Sequence, residues 1–213
     1  MQQIAIYGAG GFGKEIYCLI EEINRIEPVW DFVGYYDDGK TEGEEIYHGK
    51  VLGGLESLNS VKHPLAVVFA IGNPKIIARL TSSIENSNIV FPNLIAPDFR
   101  VLDGATFRLG KGNLIFSKCT VSCFVEMGNF NVLNSLIGIG HDSTIGDCNV
   151  FMPGTRISGN VSIGNSNLFG IYSVVLPGIV MGNETVVGAS SVVMNHTKDQ
   201  STYIGNPARK FDF

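Results

Sequence analysis

The chain has 213 residues, a formal net charge of −5, 45% hydrophobic and only 16% charged residues. That length admits one large domain or two small ones, and the hydrophobic share suits a packed core rather than a disordered chain. No Lys/Arg-rich run occurs, which argues against nucleic-acid binding, and no apolar stretch approaches the ~18 residues of a membrane span.

The first residues, QQIAIY, run straight into Gly8 without the basic and apolar regions of a signal peptide, so a cytoplasmic protein is expected. Cys18, Cys119, Cys123 and Cys148 form no CxxC pair and no metal-ligand spacing. They are expected to be reduced, structural thiols.

All the net acidity lies in residues 1–90, and the hydrophobic pattern changes at the same place, so two domains are expected, 1–90 and 91–213. The first reads as β/α units. Ile4–Tyr7 is a short apolar run suited to a buried strand. Ile16, Leu19, Ile20, Ile23 and Ile26 recur at helical spacing, and Pro28 stops the helix. Phe32–Tyr36 reads as a second strand ending at Asp37–Asp38–Gly39, Ala66–Ile71 as a third, Lys75–Ile84 as a helix and Asn88–Phe91 as a fourth strand. Alternating strands and helices imply a parallel, Rossmann-like sheet.

Between the first strand and its helix stands a literal GxGxxG, Gly8 to Gly13, and Asp37 follows Gly13 by 24 residues. Glycines let a phosphate approach the backbone at a helix N-terminus, and an acid at the end of the next strand suits a ribose. The residues alone suggest NAD. The ~90 residues available make only one mononucleotide-binding half, which resists that reading.

The second part has a period of six. From Leu109 onward, every sixth residue through Val193 is large and apolar. Glycine follows the apolar position at Gly128, Gly140, Gly146, Gly164, Gly170, Gly182 and Gly188. Ile95, Val101 and Phe107 are also six apart but two residues out of phase, so an offset is expected near Gly110–Asn113. A hexapeptide period describes a parallel β-helix, with the apolar residue inward and the small residue at the corner.

This repeat, with the closing segment Tyr203–Lys210 (YIGNPARK), resembles the hexapeptide-repeat acyltransferases. With the small N-terminal domain, the whole chain is similar to bacterial sugar acetyltransferases of the sialic-acid O-acetyltransferase type, including enzymes that N-acetylate nucleotide-linked 4-amino-4,6-dideoxy sugars. The resemblance implies a left-handed β-helix, acetyl-CoA as co-substrate, no metal and a homotrimer. It assigns the N-terminal domain to the nucleotide-sugar, with Gly10, Gly11 and Phe12 approaching the substrate and Asp37 and Asp38 contacting the nucleoside. Gly72 and Asn73, after the third strand, line the same crevice in this reading.

Four histidines are present, His48, His63, His141 and His196. Three are expected at the surface without a partner pattern. His141 lies two places after a core position, outside the core, with Asp142 beside it. Imidazole suits proton removal at neutral pH, and a carboxylate can orient it. Similar N-acetyltransferases carry His-Glu here and use the His as base. Their second His, nine residues later, corresponds to Val150. By the same resemblance, Asn134, Ile171 and Ala189 meet acetyl-CoA, and the Gly159 N–H binds the thioester oxygen. O-acetylation of a sugar such as sialic acid and non-catalytic nucleotide-sugar binding are the alternatives. A γ-type carbonic anhydrase is disfavoured, because the rod holds two histidines rather than three zinc ligands.

Overall fold

The computed structural model describes residues 1–211. The chain divides into two compact units, one of Met1–Gly72 with Ile76–Pro97, the other of Asn73–Lys75 with the segment from Asp98 onward.

In the first unit, β1 (Gln2–Tyr7), α1 (Gly11–Ile26), β2 (Trp30–Tyr36), the hairpin β3 (Glu45–Ile46) and β4 (Gly49–Lys50), α2 (Leu55–Asn59), β5 (Leu65–Phe69), α3 (Pro74–Ser83) and β6 (Ile89–Val90) follow in order. The main sheet is parallel, β2-β1-β5-β6. Ile4, Ile6, Ala66 and Val67 are fully buried. Ile16, Leu19 and Ile20 of α1 are buried as well, whereas Ile26, counted in the apolar stripe, is 76% exposed. The strand order reverses between β1 and β5, so the loops after these strands flank the crevice where α/β sheets place ligands. The hairpin β3/β4 and helix α2 were not expected, since two-residue strands carry no periodicity.

The second unit is a parallel β-helix of three faces. The first face stacks Leu114–Ile115, Val132–Leu133, Val150–Phe151, Leu168–Phe169 and Val186–Val187. The second stacks Arg100–Val101, Thr120–Val121, Gly138–Ile139, Arg156–Ile157, Val174–Val175 and Val192–Val193. The third stacks Arg108–Leu109, Val125–Met127, Ser143–Ile145, Ser162–Ile163 and Val180–Met181. Each coil takes 18 residues, three hexapeptides. Every apolar position from Ile115 to Val193 is buried, and Leu109, in the first complete hexapeptide, is half-buried.

Two details correct the reading of the repeat. Val101 pairs with Val121, twenty residues on, whereas Leu109 pairs with Met127, eighteen on. The two extra residues therefore lie between Val101 and Leu109, in the turn around Asp103–Thr106, and not at Gly110–Asn113. The second detail concerns the corners. The left-handed backbone that reverses the chain recurs every six residues, three places after the core position, and is mostly non-glycine: Phe124, Phe130, Leu136, Asp142, Cys148 and Asn160 are examples. The glycines directly after the core position serve coil stacking instead. A Cβ at Gly146 would collide with Asn165 Oδ1 and come within 2.8 Å of the Gly164 carbonyl oxygen.

A ladder of buried amides runs inside the rod. Asn113, Asn131, Asn149 and Asn167 have no exposed surface, and each of the later three donates its Nδ2 to Oδ1 of the one before, at 3.2, 3.0 and 2.9 Å. Their backbone N–H groups donate to the same oxygens. At the far end Thr202–Ile204 stacks on Val186–Val187 at a spacing of sixteen, and Arg209–Phe211 turns back antiparallel to it. The antiparallel strand ends the parallel ladder, so no further coil can add there.

Candidate functional site

The glycine loop separates into two kinds of residue. Gly8 has φ +113, and a Cβ there would lie 2.7 Å from the Ala70 carbonyl oxygen. A Cβ at Gly13 would collide with the Gly8 carbonyl oxygen. These two let the loop turn and α1 pack on the sheet. Gly10 and Gly11 are exposed, and a Cβ at either meets nothing within 4 Å. Gly10 caps α1 with no side-chain hydrogen bond, and the N-terminal turn of a helix favours an anion.

A cavity of about 360 Å³ opens over this loop, lined by Ala9, Gly10, Gly11, Lys14, Lys40, Glu45, Ile46 and Tyr47. Lys14 is in the first turn of α1, and the Lys40 ammonium is 2.7 Å from Glu44. The two lysines and Tyr47 were missed from sequence. Only Lys14, one residue past the motif, carried a signal.

The two acids do not line this cavity. Asp37 Oδ2 accepts the Ala9 N–H at 2.8 Å and Oδ1 the Gly39 N–H at 2.8 Å. Asp38 Oδ1 accepts the Leu55 N–H at 2.8 Å, and Oδ2 accepts the Tyr7 hydroxyl proton at 2.5 Å. Burial, with Asp38 as the next cause, pushes the Tyr7 hydroxyl pKa up. Both carboxylates thus pin the loops around the glycine turn. Phe12 is half-buried in α1, and Gly72 is exposed after β5. Asn73 accepts the Lys75 N–H at 3.0 Å through Oδ1, which caps the start of α3.

On the rod, His141 and Gly159 share the corner between the second and third faces, one coil apart. The imidazole and the Asp142 side chain are exposed to 60% and 58%, and Nδ1 lies 2.7 Å from Asp142 Oδ2. Asp142 sits at φ 54, a left-handed position that Asp tolerates. The shorter acid therefore reaches the ring. With Nδ1 engaged, Nε2 faces the next coil: a Cβ at Gly159 would lie 2.6 Å from it. The absence of that Cβ leaves a notch, and the Gly159 N–H donates to no group among the described residues.

Asn134, Ile171 and Ala189 are elsewhere. They share the corner between the first and second faces, so the width of the second face separates them from His141 within one chain. Asn134 Nδ2 donates to the Phe151 carbonyl at 2.9 Å. Ile171 is 43% exposed, and Ala189 is exposed too. Val150 is buried on the first face, opposite the His141 corner. A groove of about 620 Å³ follows the far edge of the third face from Arg108 to Asn165 and contains neither His141 nor Gly159.

Of the other histidines, His196 accepts the Val180 N–H at 3.0 Å, and exposed His48 stacks on Tyr17 at 4.9 Å. All four cysteines are free. Cys119 and Cys148 are buried, Cys123 is half-buried and Cys18 is exposed on α1, which departs from the structural role expected of it. Among the described residues no three His, Cys, Asp or Glu side chains gather to hold a metal ion, and no helix is long and apolar enough to cross a membrane.

Comparison with known proteins finds similar chains for both units. The PglD N-terminal domain family matches residues 3–84. The acetyltransferase domain of PglB from Neisseria gonorrhoeae FA1090, solved with acetyl coenzyme A, superposes with a TM-score of 0.86 at 26% identity, covering 99% of each chain. Over its whole length the chain is similar to hexapeptide-repeat sugar acetyltransferases. WeeI from Acinetobacter baumannii AYE matches at 27% identity and a TM-score of 0.87 over 99% of this chain and 100% of that one. A GDP-perosamine N-acetyltransferase of Escherichia coli O157:H7 is 28% identical over 167 residues, 73% of this chain and 70% of that protein. The shared architecture is the Rossmann-like sheet expected from the β/α pattern, followed by the left-handed β-helix that the resemblance implied.

Proposed function

We propose that this hexapeptide-repeat acetyltransferase moves the acetyl group of acetyl-CoA onto the amine of a nucleotide-linked sugar, of the 4-amino-4,6-dideoxy type. The observation that carries the reading is the His141 corner: an imidazole oriented by Asp142 faces a coil whose Gly159 offers an unengaged N–H. His141 Nε2 takes the proton from the amine as nitrogen attacks the thioester carbon. The carbonyl oxygen gains negative charge, and the Gly159 N–H stabilises it. CoA thiolate leaves as a good leaving group, so no acyl-enzyme forms. The similarity to a GDP-perosamine N-acetyltransferase supports an amine acceptor on a nucleotide sugar.

In the first domain, residues 1–90, the sugar nucleotide's phosphates lie over Gly10 and Gly11, where helix N–H groups, Lys14 and Lys40 supply positive charge. Asp37 and Asp38 hold that loop in shape, and side-chain edges not used in the loop meet the nucleoside. Phe12, Gly72 and Asn73 border the same substrate. In the second domain, residues 91–213, Asn134, Ile171 and Ala189 line the path of the pantetheine arm. They stand a face away from His141, so in this reading the site forms between copies of a homotrimer, with the base from one copy and the CoA corner from its neighbour. A reaction that uses acetyl-CoA and a sugar nucleotide supports a cytoplasmic protein in this reading. The mechanism needs no metal.

Release of CoA thiol from acetyl-CoA across UDP-, dTDP- and GDP-linked 4-amino sugars tests the proposal. We expect turnover with at least one amino sugar and none with its 4-hydroxy counterpart. His141→Ala should lose about 10²–10⁴-fold in kcat, the usual contribution of a positioned general base. Acetylation of hydroxyl sugars alone, or near-normal kcat in His141→Ala, would overturn it.

A further inference from the structure

The corner that carries His141 also carries an aromatic side chain without a structural purpose in the rod. Phe124 stands one coil before Asp142: the Asp142 N–H donates to the Cys123 carbonyl at 3.1 Å, and Val125 pairs with Ser143. Adjacent coils are stacked strands, so about 4.8 Å separates them. Phe124 is 60% exposed, the most exposed large apolar side chain among the described residues of the rod.

Its backbone makes that exposure more unusual. Phe124 has φ 53, in the left-handed region, where a bulky side chain is disfavoured. The other residues at this place on the same corner are Asp142, Asn160 and Gly178, types that tolerate the conformation. Two aromatic residues at left-handed positions on other corners have a reason to be there. Phe130 lies over Gly112 and Tyr172 over Gly154, each so close that a Cβ on the glycine would collide with the ring. Phe124 has no such glycine. Eighteen residues earlier stands Thr106, whose Oγ1 accepts the Phe124 N–H at 2.9 Å, and the Phe124 ring makes no aromatic contact among the described residues.

The direction of the reaction says what the ring meets. His141 Nε2 faces Gly159 on the following coil, so the acyl carbon lies toward that side. An attacking amine adds over one face of the planar thioester, so the acceptor and CoA occupy different volumes around that carbon. With acetyl-CoA at the Gly159 side, the body of the acceptor extends toward the preceding coil, which is that of Cys123 and Phe124. We infer that Phe124 is a specificity-determining residue whose ring packs against the apolar C–H face of the acceptor sugar as its amine meets His141. A deoxy sugar, with a methyl group in place of a hydroxymethyl, presents more of that apolar surface. The inference rests on the sugar N-acetyltransferase reading.

The test compares the native chain with Phe124→Gly and Phe124→Tyr, using the best amino-sugar nucleotide of the panel. Glycine relieves the left-handed backbone, so the variant is expected to fold. We expect the acceptor KM to rise about tenfold in Phe124→Gly, equivalent to the loss of one aromatic packing contact, with the acetyl-CoA KM unchanged and Phe124→Tyr restoring the native value. An unchanged acceptor KM in Phe124→Gly, with the native chain active, overturns the role of Phe124 alone. A changed oligomeric state of Phe124→Gly on size-exclusion chromatography assigns the ring to subunit contact and also overturns it. No turnover by the native chain with any amino sugar removes the functional reading and this inference with it.

Discussion

Among single residues the thiols report the two kinds of environment most directly. Cys119 is buried and donates its Sγ hydrogen to the Asn134 carbonyl at 3.1 Å. Burial pushes its pKa up to about 11, and burial does the same for Cys148, also to about 11. Cys18 is exposed on α1. The thiolate is the reactive form, so a thiol-disulfide reagent at pH 8 should label Cys18 promptly, and Cys119 and Cys148 only after denaturant is added. Mass spectrometry of the native, labelled chain checks this, and rapid labelling of Cys119 would show that its corner opens readily. The sign of the pH effect follows. A thiol whose folded pKa is raised from 9.0 to about 11 contributes stability that is fully present below pH 9. That contribution fades as pH rises toward 11, because the unfolded chain ionises first. The legibility of other residues turned on distance along the chain. His141 and Asp142 are neighbours in sequence, so their contact could be read. Asp37 and Asp38 were expected at the nucleoside, and nothing local showed that Ala9, Tyr7 and Leu55 hold their carboxylates.

At the scale of the element, two amide ladders make the same kind of bond in opposite surroundings. Asn149 has no exposed surface. Its Nδ2 donates to Asn131 Oδ1 and to the Gly164 carbonyl, and its Oδ1 accepts from Asn167. Asn165 is exposed, yet it also binds across coils, donating to Asn183 Oδ1 and accepting from the Asp147 N–H. Removing a buried partner leaves polar groups that water cannot reach, whereas water replaces an exposed one. Asn149→Ala should therefore lower stability by about 3–5 kcal/mol, and Asn165→Ala by roughly 1 kcal/mol. Denaturant midpoints of the two variants decide it, and equal losses would mean that burial is not what gives the inner ladder its weight. The ladder also explains what a period of six conceals. The hexapeptide pattern, with its fourteen buried positions from Ile115 to Val193, was legible because one apolar side chain per face repeats. The asparagines repeat every eighteen residues, once per coil, and vanish when the three faces are averaged. The extra two residues before Leu109 were placed too late for a related reason: Phe107 keeps the apolar spacing while belonging to the turn, and only the pairing of Val101 with Val121 shows where the coil lengthens.

For the whole molecule, the rod sets a geometric condition on catalysis. One chain carries His141 and Gly159 on one corner and Ile171 and Ala189 on another, with the second face between them. In the proposed homotrimer each site takes its base from one copy and its CoA corner from the next copy around the ring. His141→Ala destroys the first half. Ala189→Trp fills the second with a bulky side chain at an exposed position, where folding is not at risk. Each variant alone should be inactive. Trimers containing both kinds of chain, selected by two different affinity tags, should regain activity. Whether such a ring holds two copies of one variant or two of the other, only one of its three junctions joins an intact base corner to an intact CoA corner. The mixed trimers should then show about one third of native turnover, as closed cyclic symmetry requires. If both halves of the site came from the same chain, every junction would carry a defect and the mixed trimers would stay inactive.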